Sequence, residues 1–279
     1  AYLPGKTVKL DFGDDGTIWG GEFLLADYYG YERAGAFKPV AMLGGARAIR
    51  EPWRNTYAHL MAGLGWESFE REFGKLELFG FLAAKPRAAL DQMLKLGLNA
   101  PLASSCGRLF DAVAAAVGLC RDEALYEGHG AIMLEALVNL GACQQGGAAG
   151  AYPFDIGRRG ESGLLYLDPA PMWRAVLDDL AQMTPTAVIA TRFHLGLAEA
   201  VARMVAEVVR NREDRLAPDT VALSGGCFQN QVLLRETGRR LTALGFRVLT
   251  QQRVPPNDGG LSLGQAVIAA ARKLGSGRN

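Results

Sequence analysis

The sequence predicts an α/β fold, and three observations carry that expectation. Near the C-terminus a short apolar strand, a glycine-rich turn and an amphipathic helix follow one another twice, the pattern of α/β architecture. Glycine supplies 35 of the 279 residues, well above its usual share of about 7%. Many of these glycines pair at element junctions, as Gly20–Gly21, Gly44–Gly45, Gly225–Gly226 and Gly259–Gly260. Hydrophobic residues make up 49% and charged residues 21%, a globular composition long enough for a sizeable core. Length alone suggests two domains or one bilobal domain.

The elements follow in order. Thr7–Leu10 and Thr17–Trp19 flank Asp14-Asp15-Gly16, a turn signal between strands, and Gly21–Tyr28 reads as a further strand. Pro52 suits the first position of a helix over Trp53–Leu64. Ala83–Leu96 reads as one helix, with Leu90, Met93, Leu94 and Leu96 as its apolar residues. Leu109–Gly118 and Gly130–Gly141 carry Ala/Leu/Val faces at near-helical spacing, and the aperiodic Gly141–Gly150 stretch reads as a surface connection. Gly163–Leu167 is expected as a strand and Met172–Gln182 as a helix. Arg192–Val209 is a long amphipathic helix, with Phe193, Leu197, Ala200, Val201, Met204, Val205 and Val208 at the 3.6 period. Strand Thr220–Leu223 then leads through Ser224-Gly225-Gly226 into a helix bearing Val232, Leu233, Leu234 and Leu241. Strand Phe246–Thr250 leads through Pro255–Gly260 into helix Leu261–Leu274.

Charge and cysteine usage narrow the function classes. Thirty basic against 29 acidic residues give +1, which provides no overall field for nucleic acid or an anionic membrane, so neither is expected as a partner. Apolar stretches fall short of the roughly 18 residues of a membrane span, and the first ten residues lack a signal-peptide layout. Cys106, Cys120, Cys143 and Cys227 form no C-x-x-C pair and no histidine neighbours them in sequence, which argues against a zinc finger. They read as small buried hydrophobes in a reducing, cytoplasmic compartment.

A glycine turn entering a helix exposes unpaired N–H groups at the positive end of the helix dipole, which suits phosphate. Ser224-Gly225-Gly226 fits that role, with Asn230 one turn on as a side-chain donor to a ribose or base; close packing alone is the other reading. Asp258, before Gly259–Gly260, is either a helix cap or a carboxylate holding a divalent cation against a phosphate. Asp11, at the end of the first strand, is either a turn residue or the second such ligand. Cys227 sits where a thiolate is favoured but has no nearby base in sequence. His194 reads as a hydrogen-bonded, partly buried residue rather than a ligand, and His129 as a turn residue or one bordering a site. No Ser/His or Cys/His nucleophile pair is evident.

The runs Leu223-Ser-Gly-Gly-Cys-Phe-Gln-Asn230 and Val254-Pro-Pro-Asn-Asp-Gly-Gly-Leu-Ser-Leu-Gly-Gln265 closely resemble the C-terminal domain of HypF carbamoyltransferases of hydrogenase maturation. So do Asp14-Asp-Gly-Thr-Ile-Trp-Gly-Gly-Glu22, Arg50-Glu-Pro-Trp-Arg54, Ser104-Ser-Cys-Gly-Arg-Leu-Phe-Asp-Ala-Val113 and Tyr126-Glu-Gly128. The resemblance implies a TsaD-type, ribonuclease-H-like fold with the two lobes of actin, Hsp70 and sugar kinases, nucleotide lying between them. An N-terminal lobe of about 1–100, with helix 261–274 as a candidate addition, and a C-terminal lobe of about 101–260 are expected.

The implied chemistry is transfer of a carbamoyl group from carbamoyl-adenylate to the C-terminal cysteine of HypE, with release of AMP. The adenylate comes from ATP and carbamoyl phosphate in a YrdC-like domain absent from these 279 residues. By the same resemblance Asp11 and Asp258 are catalytic metal-ligand aspartates for a divalent cation, and Gly225, Gly226 and Asn230 form the nucleotide turn. Asp111 and Glu127 lie where family members approach the ribose, and Gly44 and Gly45 fall in a Gly-Gly element near the nucleotide. The chain departs from the family in lacking a His-x-x-x-His pair upstream of the first strand and a Leu-Asp-Gly-x-Gly-x-Gly run, and one reading makes it a C-terminal piece. Rival readings are an O-carbamoyltransferase acting on a small-molecule hydroxyl, and a non-catalytic nucleotide-binding or docking module. A tRNA-modifying transferase is disfavoured by the charge balance.

Overall fold

The computed structural model describes residues 13, 15–139, 141, 150–158, 163–211 and 218–276. Strands β1 (Glu22–Ala26), β2 (Tyr31–Phe37) and β3 (Val40–Ala41) open the described chain, followed by α1 (Arg47–Arg50) and α2 (Trp53–Gly63). Helices α3 (Trp66–Phe73), α4 (Glu77–Ala83) and α5 (Arg87–Leu96), strand β4 (Leu102–Ala103), and helices α6 (Cys106–Ala116) and α7 (His129–Ala136) come next. The second half holds β5 (Asp155–Arg158), β6 (Leu165–Asp168), α8 (Ala170–Ala181) and α9 (Thr186–Arg210). Last come β7 (Thr220–Ala222), α10 (Gln231–Ala243), β8 (Arg247–Leu249) and α11 (Leu261–Ser276).

Two helices hold the centre. In α6 every residue from Leu109 to Ala116 is buried, and five of the eight are alanine or valine. Such small side chains let neighbours approach closely: Thr56 of α2 donates its hydroxyl to the Ala112 carbonyl across the contact, 2.8 Å away. In α9 the predicted stripe Phe193, Leu197, Ala200, Val201, Met204 and Val208 is buried, as an amphipathic helix requires. Gly196 on the same helix admits the backbone of Tyr152; a Cβ there would stand 2.3 Å from the Tyr152 carbonyl oxygen.

The principal sheet has the order β1-β2-β6-β5, with β2 and β6 parallel and the other pairs antiparallel. Gly35–Phe37 thus pair with Leu165–Leu167, so the hydrogen bonding crosses the lobe division expected near residue 100. A separate parallel pair, β7 with β8, is joined through α10. Leu223, Leu241 and Ala202 of α9 form the small apolar cluster under that pair.

Three local expectations differ. The helix expected over Ala83–Leu96 starts only at Arg87 as α5, because Pro86 cannot continue a helix from the preceding residues and instead caps α5, while Ala83 ends α4. Thr17–Trp19 makes only a single bridge, Ile18 with Ala103, rather than a hairpin strand. The partner strand Thr7–Leu10 lies outside the described residues, as does Gly141–Gly150 apart from its two ends. Among the described residues no helix is long and apolar enough to cross a membrane.

Two buried histidines set an acid limit on this fold. Burial depresses both His59 and His194 to about 4 from the ordinary 6.5. The unfolded chain therefore takes up protons at these sites before the folded one does, and stability is lost as pH falls from about 6.5 to 4. Asp111, raised to about 6 by burial, opposes one of the two by gaining its proton early in the folded state. The expected outcome is a urea midpoint that falls between pH 7 and 5, with His194→Gln weakening that slope. A midpoint flat over this range would contradict the assignment.

Candidate functional site

The parallel pairing of β7 with β8 brings the two glycine turns to one edge. Gly225 adopts φ +108°, a region that L side chains avoid, and its N–H donates to the Pro256 carbonyl at 2.7 Å. The Ser224 hydroxyl donates to the same carbonyl at 3.4 Å. The turn continues as a 3₁₀ segment, Gly226–Gln229, before α10. Among the described residues the Gly226 and Cys227 N–H groups have no acceptor. They lie on the exposed side of a turn followed by a helix, a place where an anion is stabilised.

Asp258 opens the matching 3₁₀ segment after β8, but it is not the cap. Asn257 takes that position, its side chain accepting the Gly259 N–H at 3.1 Å. The Asp258 carboxylate is exposed and bonds no described residue. Asp11 lies outside the described residues. The described residues hold no group of three or more His, Cys, Asp or Glu placed to share a metal ion. One exposed carboxylate does not make a divalent-cation centre, so the described donors do not by themselves fit the expected metal.

Asn230 has a different setting from the glycines. It is 7% exposed, and its side-chain oxygen accepts the Leu233 N–H at 2.8 Å as the cap of α10. Its amide nitrogen donates to His194 Nε2 at 2.9 Å, while His194 Nδ1 donates to the Ala190 carbonyl at 2.7 Å. This chain of bonds requires a neutral imidazole, which the burial of His194 enforces. From α7, Glu135 accepts the Gln231 N–H at 2.6 Å and adds negative charge at the same helix start.

The N-terminus of α6 lies against the first turn. The interaction of the neighbouring Cys106 and Cys227 thiols pushes Cys106 up and holds Cys227 down, burial adding to the first effect and the Arg108 guanidinium to the second. On the same helix Asp111 is 3% exposed and lies 2.7 Å from Arg108 Nη1, a charge pair rather than an aligned hydrogen bond. Burial pushes the Asp111 carboxyl up to about 6; Arg108 works against that and the Glu127 carboxylate adds to it. The two carboxylates thus share one electrostatic environment. Glu127 itself is exposed in the turn before α7. Gly130 of α7 seats against Ala114 of α6, where a Cβ would meet the Ala114 methyl at 2.8 Å.

Gly44 and Gly45 form a different turn. Both have positive φ, +87° and +57°, and Gly44 donates its N–H to the Asn99 carbonyl at 2.8 Å. Two groupings were not legible in the sequence. Cys106 and Cys227 are separated by more than a hundred residues. Cys120 Sγ lies 3.1 Å from His129 Nδ1, a contact that spacing did not show, with burial pushing the Cys120 thiol up rather than toward a thiolate.

Comparisons with known proteins give the family and the fold. A family model described as carbamoyltransferase, Kae1-like domain, second subdomain matches residues 10–265. Carbamoyltransferase HypF of Rhodobacter capsulatus is 42% identical over 94% of this chain and 31% of the relative. Carbamoyltransferase HypF2 of Cupriavidus necator is 37% identical over 96% of this chain and 34% of the relative. A crystal structure of full-length HypF in a phosphate- and nucleotide-bound form superposes with a TM-score of 0.78 at 30% identity, over 92% of this chain and 31% of that one. The chain thus spans about a third of the length of these relatives.

Asn230→Ala would remove both the α10 cap and the donor to His194, which then stays buried with one nitrogen unpaired. The expected cost is roughly 2–4 kcal/mol, the sum of a cap and an unsatisfied buried acceptor. Chemical denaturation measures it, and a loss below half a kcal/mol would show that the side chain is free for another role.

Proposed function

The chain belongs to the HypF carbamoyltransferase family, and on that premise we propose that it is the carbamoyl-transfer part of a longer protein acting in hydrogenase maturation. In this reading carbamoyl-adenylate, made from ATP and carbamoyl phosphate elsewhere in the full-length protein, lies along the two glycine turns. The acceptor is the C-terminal cysteine thiolate of HypE. Its sulfur attacks the carbamoyl carbon, a carbon–sulfur bond forms, the bond from that carbon to the phosphate oxygen breaks, and AMP leaves with the electron pair. The observation that carries this reading is the locked pair of turns, with unpaired Gly226 and Cys227 N–H groups on one and the exposed Asp258 carboxylate on the other.

Individual residues have distinct tasks in this scheme. The free N–H groups of the first turn hold the phosphate and offset charge building on departing AMP. Asp111 and Glu127 accept hydrogen bonds from the ribose hydroxyls, Asp111 in its ionised form. Gly44 and Gly45 border the nucleotide. Asn230 acts through the fold: it fixes the start of α10 behind the turn. Asp258 is the catalytic carboxylate, and no step here is routed through a metal. The lack of a three-donor group among the described residues favours a second reading, a nucleotide-binding module without transfer activity.

Two measurements separate these readings. Adenosine, which carries no titrating phosphate, should bind the chain about tenfold more weakly at pH 5 than at pH 7.5, because Asp111 loses its charge below about 6. Asp111→Asn should flatten that profile; a flat profile in the unaltered chain would remove Asp111 from the ribose site. In the full-length protein, Asp258→Ala should abolish carbamoyl transfer to HypE without lowering the melting temperature, since the carboxylate is exposed and unbonded. Full transfer by that variant would refute its catalytic role, and transfer absent from the unaltered protein would favour the binding module.

A further inference from the structure

Between α6 and α7 the structure gathers three soft donors that carbamoyl transfer does not use. Cys120 adopts φ +46°, a conformation non-glycine residues seldom take, and its Sγ lies 3.1 Å from His129 Nδ1 and 3.2 Å from Met133 Sδ. His129 and Met133 are four residues apart on α7 and share a face. The imidazole is held on one side by the Tyr126 ring, with centroids 4.5 Å apart. The Leu125 N–H donates to His129 Nδ1 at 3.4 Å, which marks that nitrogen as the lone-pair side of the ring. One S–H proton cannot serve both Nδ1 and Sδ at once. A cation in place of that proton bonds all three atoms.

We propose that Cys120, His129 and Met133 form a three-coordinate site for a soft monovalent cation of the copper(I) class. Thiolate, imidazole and thioether are the donors such an ion selects. The harder carboxylate or all-His/Cys set that zinc takes is absent here among the described residues. Binding exchanges one ion for one proton: the Cys120 S–H bond breaks, the long Leu125 hydrogen bond leaves the Nδ1 lone pair, sulfur–copper and nitrogen–copper bonds form, and the proton passes to solvent with no change of oxidation state. Metal bonds of about 2.0–2.3 Å need donor separations of roughly 3.5–4 Å, so the three atoms move apart slightly. Met133, 37% exposed on a flexible thioether stem, can supply most of that movement.

The test is an anaerobic titration of the 279-residue chain with copper(I) buffered by a chromogenic chelator. Cys106, Cys143 and Cys227 are replaced by serine so that Cys120 is the only thiol. One equivalent is expected to leave the chelator. Cys120→Ser should abolish that uptake, and His129→Gln and Met133→Leu should each weaken it about tenfold or more. No uptake by the Cys120-only chain, or uptake unchanged by Cys120→Ser or Met133→Leu, would overturn the proposal. Should the triple-serine chain fail to fold, the unaltered chain serves. There Cys120→Ser should lower the copper(I) stoichiometry by one equivalent, and Met133→Leu should remove one sulfur from the X-ray absorption shell. An unchanged stoichiometry and shell would overturn the site equally.

Discussion

The hydrogen bond from the Gly225 N–H to the Pro256 carbonyl is the constraint on which the candidate site depends. It is made possible by two features of the chain. The parallel register of Thr220–Ala222 with Arg247–Leu249 ends both strands at one edge, and Gly225 lacks the Cβ that would forbid φ +108°. Because this N–H is committed to Pro256, the next two along the turn are the ones without an acceptor among the described residues. A side chain at Gly225 would undo the turn through its backbone conformation, even though the space around it is open.

Behind the turn, polar groups do the positioning that apolar packing cannot. The helix starting at Gln231 is aimed by Asn230 within the chain and by Glu135 from α7. Asn230 is in turn held by His194 on α9. A buried carboxamide and a buried imidazole would each be costly alone; paired, they fix the relation between α9 and α10 more tightly than side-chain shape would. The neutrality of His194 is therefore part of the structure of the turn, and the acid sensitivity of the fold follows from it.

Much of this was legible in the sequence where one signal dominated. The long helix around Phe193–Val208, the helix after Pro52 and the two strand–turn–helix units appear as expected, because periodicity and glycine pairs are local and strong. The short helices Trp66–Phe73 and Glu77–Ala83 were missed although Trp66, Phe69 and Phe73 recur at helical spacing in the first, where they pack on one another and on Phe79. Strand Tyr31–Phe37 was missed because its partner, Leu165–Asp168, lies far along the chain, and pairing at that separation leaves no local pattern. Of the site, the glycine turns and Asp258 were legible as motifs. The anchoring of Asn230 by His194, the Asp258 cap position going to Asn257, and the Cys120–His129 contact depend on tertiary placement and leave no trace in spacing.

The placement of α7 decides more than its short length suggests. Gly130 and Ala114 are the close contact between α7 and α6, and between them there is no room for one further methyl group. The turn bearing Glu127 enters α7 on one side of that contact, and His129 and Met133 sit on the helix itself. The carboxylate that acts on the Asp111 charge and two of the three soft donors are thus positioned by a single helix seat. A change that lifts α7 from α6 would move the Glu127 charge away from Asp111 and part His129 from Cys120 together. The setting of Asp111 and that of Cys120 are therefore mechanically linked through packing, although they share no atom.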